Sequence, residues 1–155
     1  MLSLILAAAF ALQSTPAEEP VDPYAQSNSN AGAGPFKGRA MWRAFHESAG
    51  VNRVVDDLVD RLDADPRITD IFKGHDLVRL RRTLKEQFCY LLNGGCEYSG
   101  RTMAMAHKDL GLQVADFNAL VEDLQAAMRK ENVGYFAQNR LLAKLAPMKR
   151  VTVER

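Results

Sequence analysis

Residues 98–112 read YSGRTMAMAHKDLGL, and the rest of the chain is understood by working outward from them. Over Arg101–Leu110, Met103, Ala106, His107 and Leu110 share one helical face, and Gly111 supplies a stop just beyond the histidine. A histidine on an apolar face has two readings. It is a core residue whose ring nitrogens are satisfied by neighbouring carbonyls, or a neutral imidazole held at a pocket wall as a metal or haem ligand. Spacing alone leaves both open.

On either side the chain is helical by the same test. Val51, Val54, Val55, Leu58, Val59 and Leu62 recur at helical spacing, with Asp56, Asp57, Asp60, Arg61 and Asp63 on the other face. Pro66 ends that helix by pushing its predecessor out of helical geometry. Before it, Met41, Trp42 and Phe45 predict a short helix ending at Ser48 to Gly50. After it come one helical turn over Arg67–Phe72 and a helix over Leu77–Leu92 that carries Leu77, Leu80, Leu84, Phe88 and Leu91 along one side. Asn93-Gly94-Gly95 stops that helix. Val114, Phe117, Leu120, Val121, Leu124 and Met128 predict another, and Phe136–Ala146 predicts the last, closed by Pro147. No segment alternates as a half-buried strand does, so the domain is expected to be all-α.

With 155 residues the chain suits one domain with a self-sufficient core. Its 20 Lys and Arg against 19 acidic residues form no basic stripe, which argues against a nucleic-acid partner. Arg79, Arg81, Arg82 and Lys85 read as a solvated face. Met1–Leu12 is apolar apart from Ser3, too short for a bilayer span of roughly 20 residues. It resembles the core of a secretory signal, with small-residue triplets at Ala9-Phe10-Ala11 and Thr15-Pro16-Ala17, although no Lys or Arg precedes it.

Three units are therefore expected: a signal-like segment over 1–17, a flexible linker over 18–40, and a folded domain over 41–155. The linker expectation rests on a composition of Pro, Ser, Asn, Gly and Ala that buries little apolar surface. The chain is expected to be exported, periplasmic or secreted, if the signal-like segment is used, and cytoplasmic otherwise. A membrane is a partner only if that segment is retained. Export would permit a disulfide between Cys89 and Cys96; Cys89 also reads as a small buried hydrophobe. Two such cysteines make no zinc signature.

His107 has no second histidine or carboxylate at zinc or di-iron spacing, and His46 and His75 stand alone as surface or loop residues. No nucleophile elbow, phosphate loop or dinucleotide fingerprint occurs. Chemistry here needs a cofactor at His107.

An ordered set of residues then resembles a known family. Val54-Val55-Asp56-Asp57, Ala64-Asp65-Pro66, Ile71-Phe72, Gly94-Gly95, Tyr98-Ser99-Gly100, Met103-x-x-Ala106-His107, Leu110-Gly111-Leu112, Phe117 and Leu145-Ala146-Pro147 are similar in order to the truncated haemoglobins, most closely group I. The resemblance spans about Met41 to Val151 and implies a two-over-two helical sandwich that binds haem b. It implies His107 as the proximal iron ligand, Phe72 packed on the haem face, Met103 on the proximal side and Phe117 in the pocket wall. Leu77, Leu80, Leu84, Gln87 and Phe88 complete the implied cofactor-contacting set.

The distal side departs from the family pattern. Group I members commonly carry a tyrosine on the second helix and a glutamine on the distal helix, both bonded to dioxygen. The matching positions here are Val59, Leu80 and Leu84. A missing donor forgoes on the order of 1–3 kcal/mol of stabilisation of a polar ligand. Gln87, the one polar residue on the Leu80–Leu84 face, is the candidate replacement. Arg79, Arg82, Lys85 and Arg101 are candidate partners of the haem propionates.

The expected function is reversible binding of a diatomic gas (dioxygen, NO or CO), including oxygen transport, with a reductase as a further partner. One alternative is a haem redox enzyme, a nitric oxide dioxygenase or a peroxidase-like one. The other is a haem-free helical interaction module in which His107 is structural.

Overall fold

The computed structural model describes residues 17–154, so the signal-like segment of Met1–Leu12 lies outside the described residues. Among them every regular element is helical, as the periodicity predicts. None of the helices is long and apolar enough to cross a membrane.

The central element is α2 (Glu47–Ala64), preceded by the short α1 (Ala40–Ala44). Its apolar stripe, Val51, Val54, Val55, Leu58, Val59 and Leu62, is wholly buried. The expected break at Ser48–Gly50 does not occur: these residues form the first turn of α2, and the chain turns at His46 and Glu47, with φ of 59° and 58°. Gly50 is needed for close approach, not for stopping, because a Cβ there would strike the Phe45 carbonyl and the His46 side chain.

A one-turn α3 (Thr69–Phe72) leads to α4 (Leu77–Leu91), whose first turn is capped by Asp76 accepting from the Arg79 N–H at 2.9 Å. After α5 (Met103–Ala106) the long α6 (Val114–Lys130) and α7 (Tyr135–Leu145) follow. α2 packs on both α4 and α6, and α6 packs on α7, which gives the two-over-two sandwich. Pro147 does not end the helical part of the chain as expected. A 3-10 turn over Ala146–Met148 accommodates it near its start, and α8 (Lys149–Thr152) returns to α5.

Two side-chain clusters result. The main one gathers Trp42, Phe45, the α2 stripe, Phe88, Leu124, Met128 and Leu141. A smaller one joins Ala31, Leu91, Tyr98, Met103 and Met148. Cys89, 5% exposed, is disulfide-bonded to Cys96 with 5.7 Å between Cα atoms, closing the loop after α4.

Residues 18–38 are not a loose tether. They run along α4, with a 3-10 turn at Asn28–Ala31, and bury Asn30 and Ala31. The composition argument counts apolar area; this segment is held instead by its backbone and polar groups. The Phe36 N–H donates to the Leu91 carbonyl at 2.8 Å, the Glu19 N–H donates to Asp76 at 2.8 Å, and Glu18 pairs with Arg82.

Candidate functional site

α5 is shorter than the sequence suggests. Thr102 caps it by accepting from the Met105 N–H, and it ends at Ala106 with His107 as its C-cap. Asp109 and Gly111, with φ of 62° and 63°, turn the chain away, so Leu110 does not continue the helical face. A four-residue helix is too short to be stable alone, and its neighbours set its place.

The geometry of His107 is informative. Its Nδ1 lies 2.7 Å from the Met103 carbonyl oxygen, which also accepts the His107 backbone N–H at 3.2 Å. A carbonyl only accepts, so Nδ1 carries a proton, and in the neutral ring Nε2 holds the lone pair. The ring is part-exposed, and no hydrogen-bond partner for Nε2 occurs among the described residues. A neutral imidazole oriented through Nδ1–H to a backbone carbonyl is the form in which histidine binds a metal through Nε2.

The expected cofactor-contacting residues fall into two groups. Phe72, Leu77, Leu80 and Leu84 lie against the main core yet remain part-exposed, while Phe88 is buried within it at 2% exposure. Val59 belongs to the same cluster, so the three positions expected on the distal side share one apolar environment. Gln87 and Met103 meet in the second cluster. The Gln87 amide nitrogen donates to the Ala31 carbonyl at 2.8 Å and lies 3.4 Å from the Met103 sulfur and 3.9 Å from that of Met148. Its amide is engaged by the N-terminal segment. Phe117 stands apart on α6, with the Lys149 ammonium 5.5 Å above its ring.

The candidate propionate partners are unequally available. Arg82 is bound by Glu18, Glu86 and Ser99. Arg79 pairs with Glu18 and Asp76, and Lys85 pairs with Asp56. Arg101 stacks over Tyr24 at 5.3 Å and has no ion pair among the described residues. Burial pushes the Glu86 carboxyl up, but the Ser99 hydroxyl and N–H, with Arg82, more than offset this and hold it below the usual carboxylate range. Three participants escaped the sequence reading: Asn30, Ala31 and Met148. Small and polar residues leave no periodic signal, and Met148 follows the proline that marked the expected end of the helices.

Comparison with known proteins adds independent information. A family model described as bacterial-like globin matches residues 43–154. The group 1 truncated hemoglobin of Nostoc commune is 31% identical over 83 residues, covering 54% of this chain and 70% of that protein. That of Tetrahymena thermophila is 33% identical over 70 residues, covering 45% and 58%. Among solved structures, the Fe(III) truncated hemoglobin of Tetrahymena pyriformis superposes with a TM-score of 0.71 at 22% identity, covering 74% of this chain and 98% of that one. A Synechococcus 2/2 hemoglobin with covalently attached heme gives 0.69 at 22% identity, with the same coverage. At that identity the structural likeness bears on the fold.

Proposed function

Because the chain belongs to the bacterial-like globin family and is a truncated haemoglobin of the group 1 kind, we propose that it binds haem b through His107 Nε2 and reversibly takes up a diatomic gas. The observation that carries this is the Nδ1 contact with the Met103 carbonyl, which orients the ring through one nitrogen and leaves Nε2 without a hydrogen-bond partner among the described residues. The residues present fit the group. There is one oriented nitrogen donor, and Phe72, Leu77, Leu80 and Leu84 form a set of large apolar side chains that the core leaves part-exposed. Haem, when bound, supplies an iron site for the gas. The chain's own residues hold the imidazole, exclude water and set the polarity around the ligand.

That polarity favours binding over redox turnover. Val59, Leu80 and Leu84 provide no general acid or base to assist O–O cleavage. Dioxygen, lacking a donor from these positions, leaves faster than from a pocket with one. Carbon monoxide, which depends less on a hydrogen bond, is the more favoured ligand. Optical spectra of the purified chain in ferric, ferrous and carbon-monoxide forms test the proposal. A haem spectrum that shifts on adding carbon monoxide to the ferrous form is expected, and a chain that takes up no haem when supplied with it refutes the proposal.

A further inference from the structure

The segment ahead of the region matched by the family model touches both α4 and the loop that leads into α5. On one side it is tied to α4. Glu18 pairs with Arg82 and Arg79, the Gln87 amide donates to the Ala31 carbonyl, and the Phe36 N–H donates to the Leu91 carbonyl. On the other side it holds three successive residues of the loop that leads into α5. Asn28 accepts from the Tyr98 N–H at 2.8 Å, the Tyr24 hydroxyl donates to the Ser99 carbonyl at 2.8 Å, and the Asn30 amide donates to the Gly100 carbonyl at 3.1 Å. Asn30 is buried, and its amide also donates to Ala25, so the segment is internally fixed at the point where it grips the loop.

Between these attachments the backbone of Gly32 sits against both methionines of the second cluster. A Cβ there would come within 2.9 Å of Met103 Cγ and Met148 Cε, and φ is 85°. Met103 is the residue whose carbonyl orients His107. Residues 98–102 have no helix to satisfy their backbone groups, and the single turn that follows cannot fix its own position.

We infer that residues 17–36 are a strap that positions α5, and with it His107, relative to α4. Tyr24, Asn28 and Asn30 are positioning residues that act on the histidine through the loop at Tyr98–Gly100. This rests on the proposed haem role of His107 only for its consequence, slower loss of the cofactor; the positioning itself is a property of the haem-free chain.

The test uses the full chain carrying Tyr24→Phe and Asn30→Ala together, which removes the hydroxyl and amide donors and leaves the Tyr24 ring in place. In haem-free protein, hydrogen–deuterium exchange of the peptide covering 101–110 is expected to speed by about thirtyfold, the effect of losing two hydrogen bonds to the loop worth about 1 kcal/mol each. Exchange within α2 and α6 should stay as in the unmodified chain. Unchanged exchange in 101–110, or an equal rise throughout the molecule, would overturn the strap. In the loaded protein, transfer of haem to an excess of an acceptor globin should be faster by a similar factor, and an unchanged rate would overturn its effect on the histidine. A chain that binds no haem at all would refute the haem reading, and the exchange measurement would still decide the strap.

Discussion

His107 illustrates how much one side chain can say and where it stops. Its spacing placed it on an apolar face, where a core histidine was favoured over a ligand. The Nδ1 contact with the Met103 carbonyl suits either reading and supports the ligand one by leaving Nε2 unpartnered among the described residues; no sequence pattern encodes that contact. The packing of the residues expected on the distal side was more legible. Val59, Leu80 and Leu84 are apolar in the sequence and lie in or against one apolar cluster in the fold. Gln87 was not legible, because its partners come from the N-terminal segment and from beyond Pro147. The apolar distal side makes a prediction. Leu84→Gln should place a donor on that face and slow dioxygen release from the ferrous protein by roughly tenfold, equivalent to about 1.4 kcal/mol. Flash photolysis would check this, and an unchanged release rate would show that Leu84 does not face the ligand.

At the level of elements, the junction between α1, α2 and α6 carries a pH dependence. Arg53 donates to Glu131 at 2.8 and 2.6 Å and His46 lies 3.0 Å away. The hydrogen bond from Arg53, with His46 adding to it, holds the Glu131 carboxyl at about 2, against an ordinary value of 4.5. A carboxyl depressed in the folded state binds protons more weakly there than in the unfolded chain. Its stabilisation is complete above about pH 4.5 and is lost as pH falls toward about 2. Urea unfolding at pH 6 and pH 3 should show this loss, and Glu131→Gln should reduce it; an equal loss in the variant would remove Glu131 as a cause. Part should persist, since the Arg67 hydrogen bonds depress Asp65 in the same way. The disulfide makes a second prediction at this scale. Opening the Cys89–Cys96 loop with a reductant should cost about 2 kcal/mol in unfolding free energy, the value for a loop this short. Helix identities were legible because apolar period survives local detail. The ends were not: Ser48–Gly50 looked like a break and is a first turn, because whether a glycine stops a helix or permits close approach depends on the backbone it meets, here the turn at Phe45 and His46.

For the molecule as a whole, the two-over-two sandwich follows from faces that α2 must bury on both sides. Leu58 is 2% exposed within it, so Leu58→Ala should destabilise the fold by about 3 kcal/mol in chemical denaturation. A cost well under 1 kcal/mol would mean that the core reshapes around the gap. The strap over residues 17–36 lies outside this logic. Chains of small polar residues are read as linkers because they bury little, yet three successive hydrogen bonds to Tyr98, Ser99 and Gly100 hold this one in place. The proposed haem binding joins the fold to a single atom, Nε2 of His107. It is tested most directly by titrating haem into the purified chain and into its His107→Ala variant and recording the Soret band. The account predicts a band in the unmodified chain and its loss in the variant. An unchanged haem spectrum in the variant would contradict it.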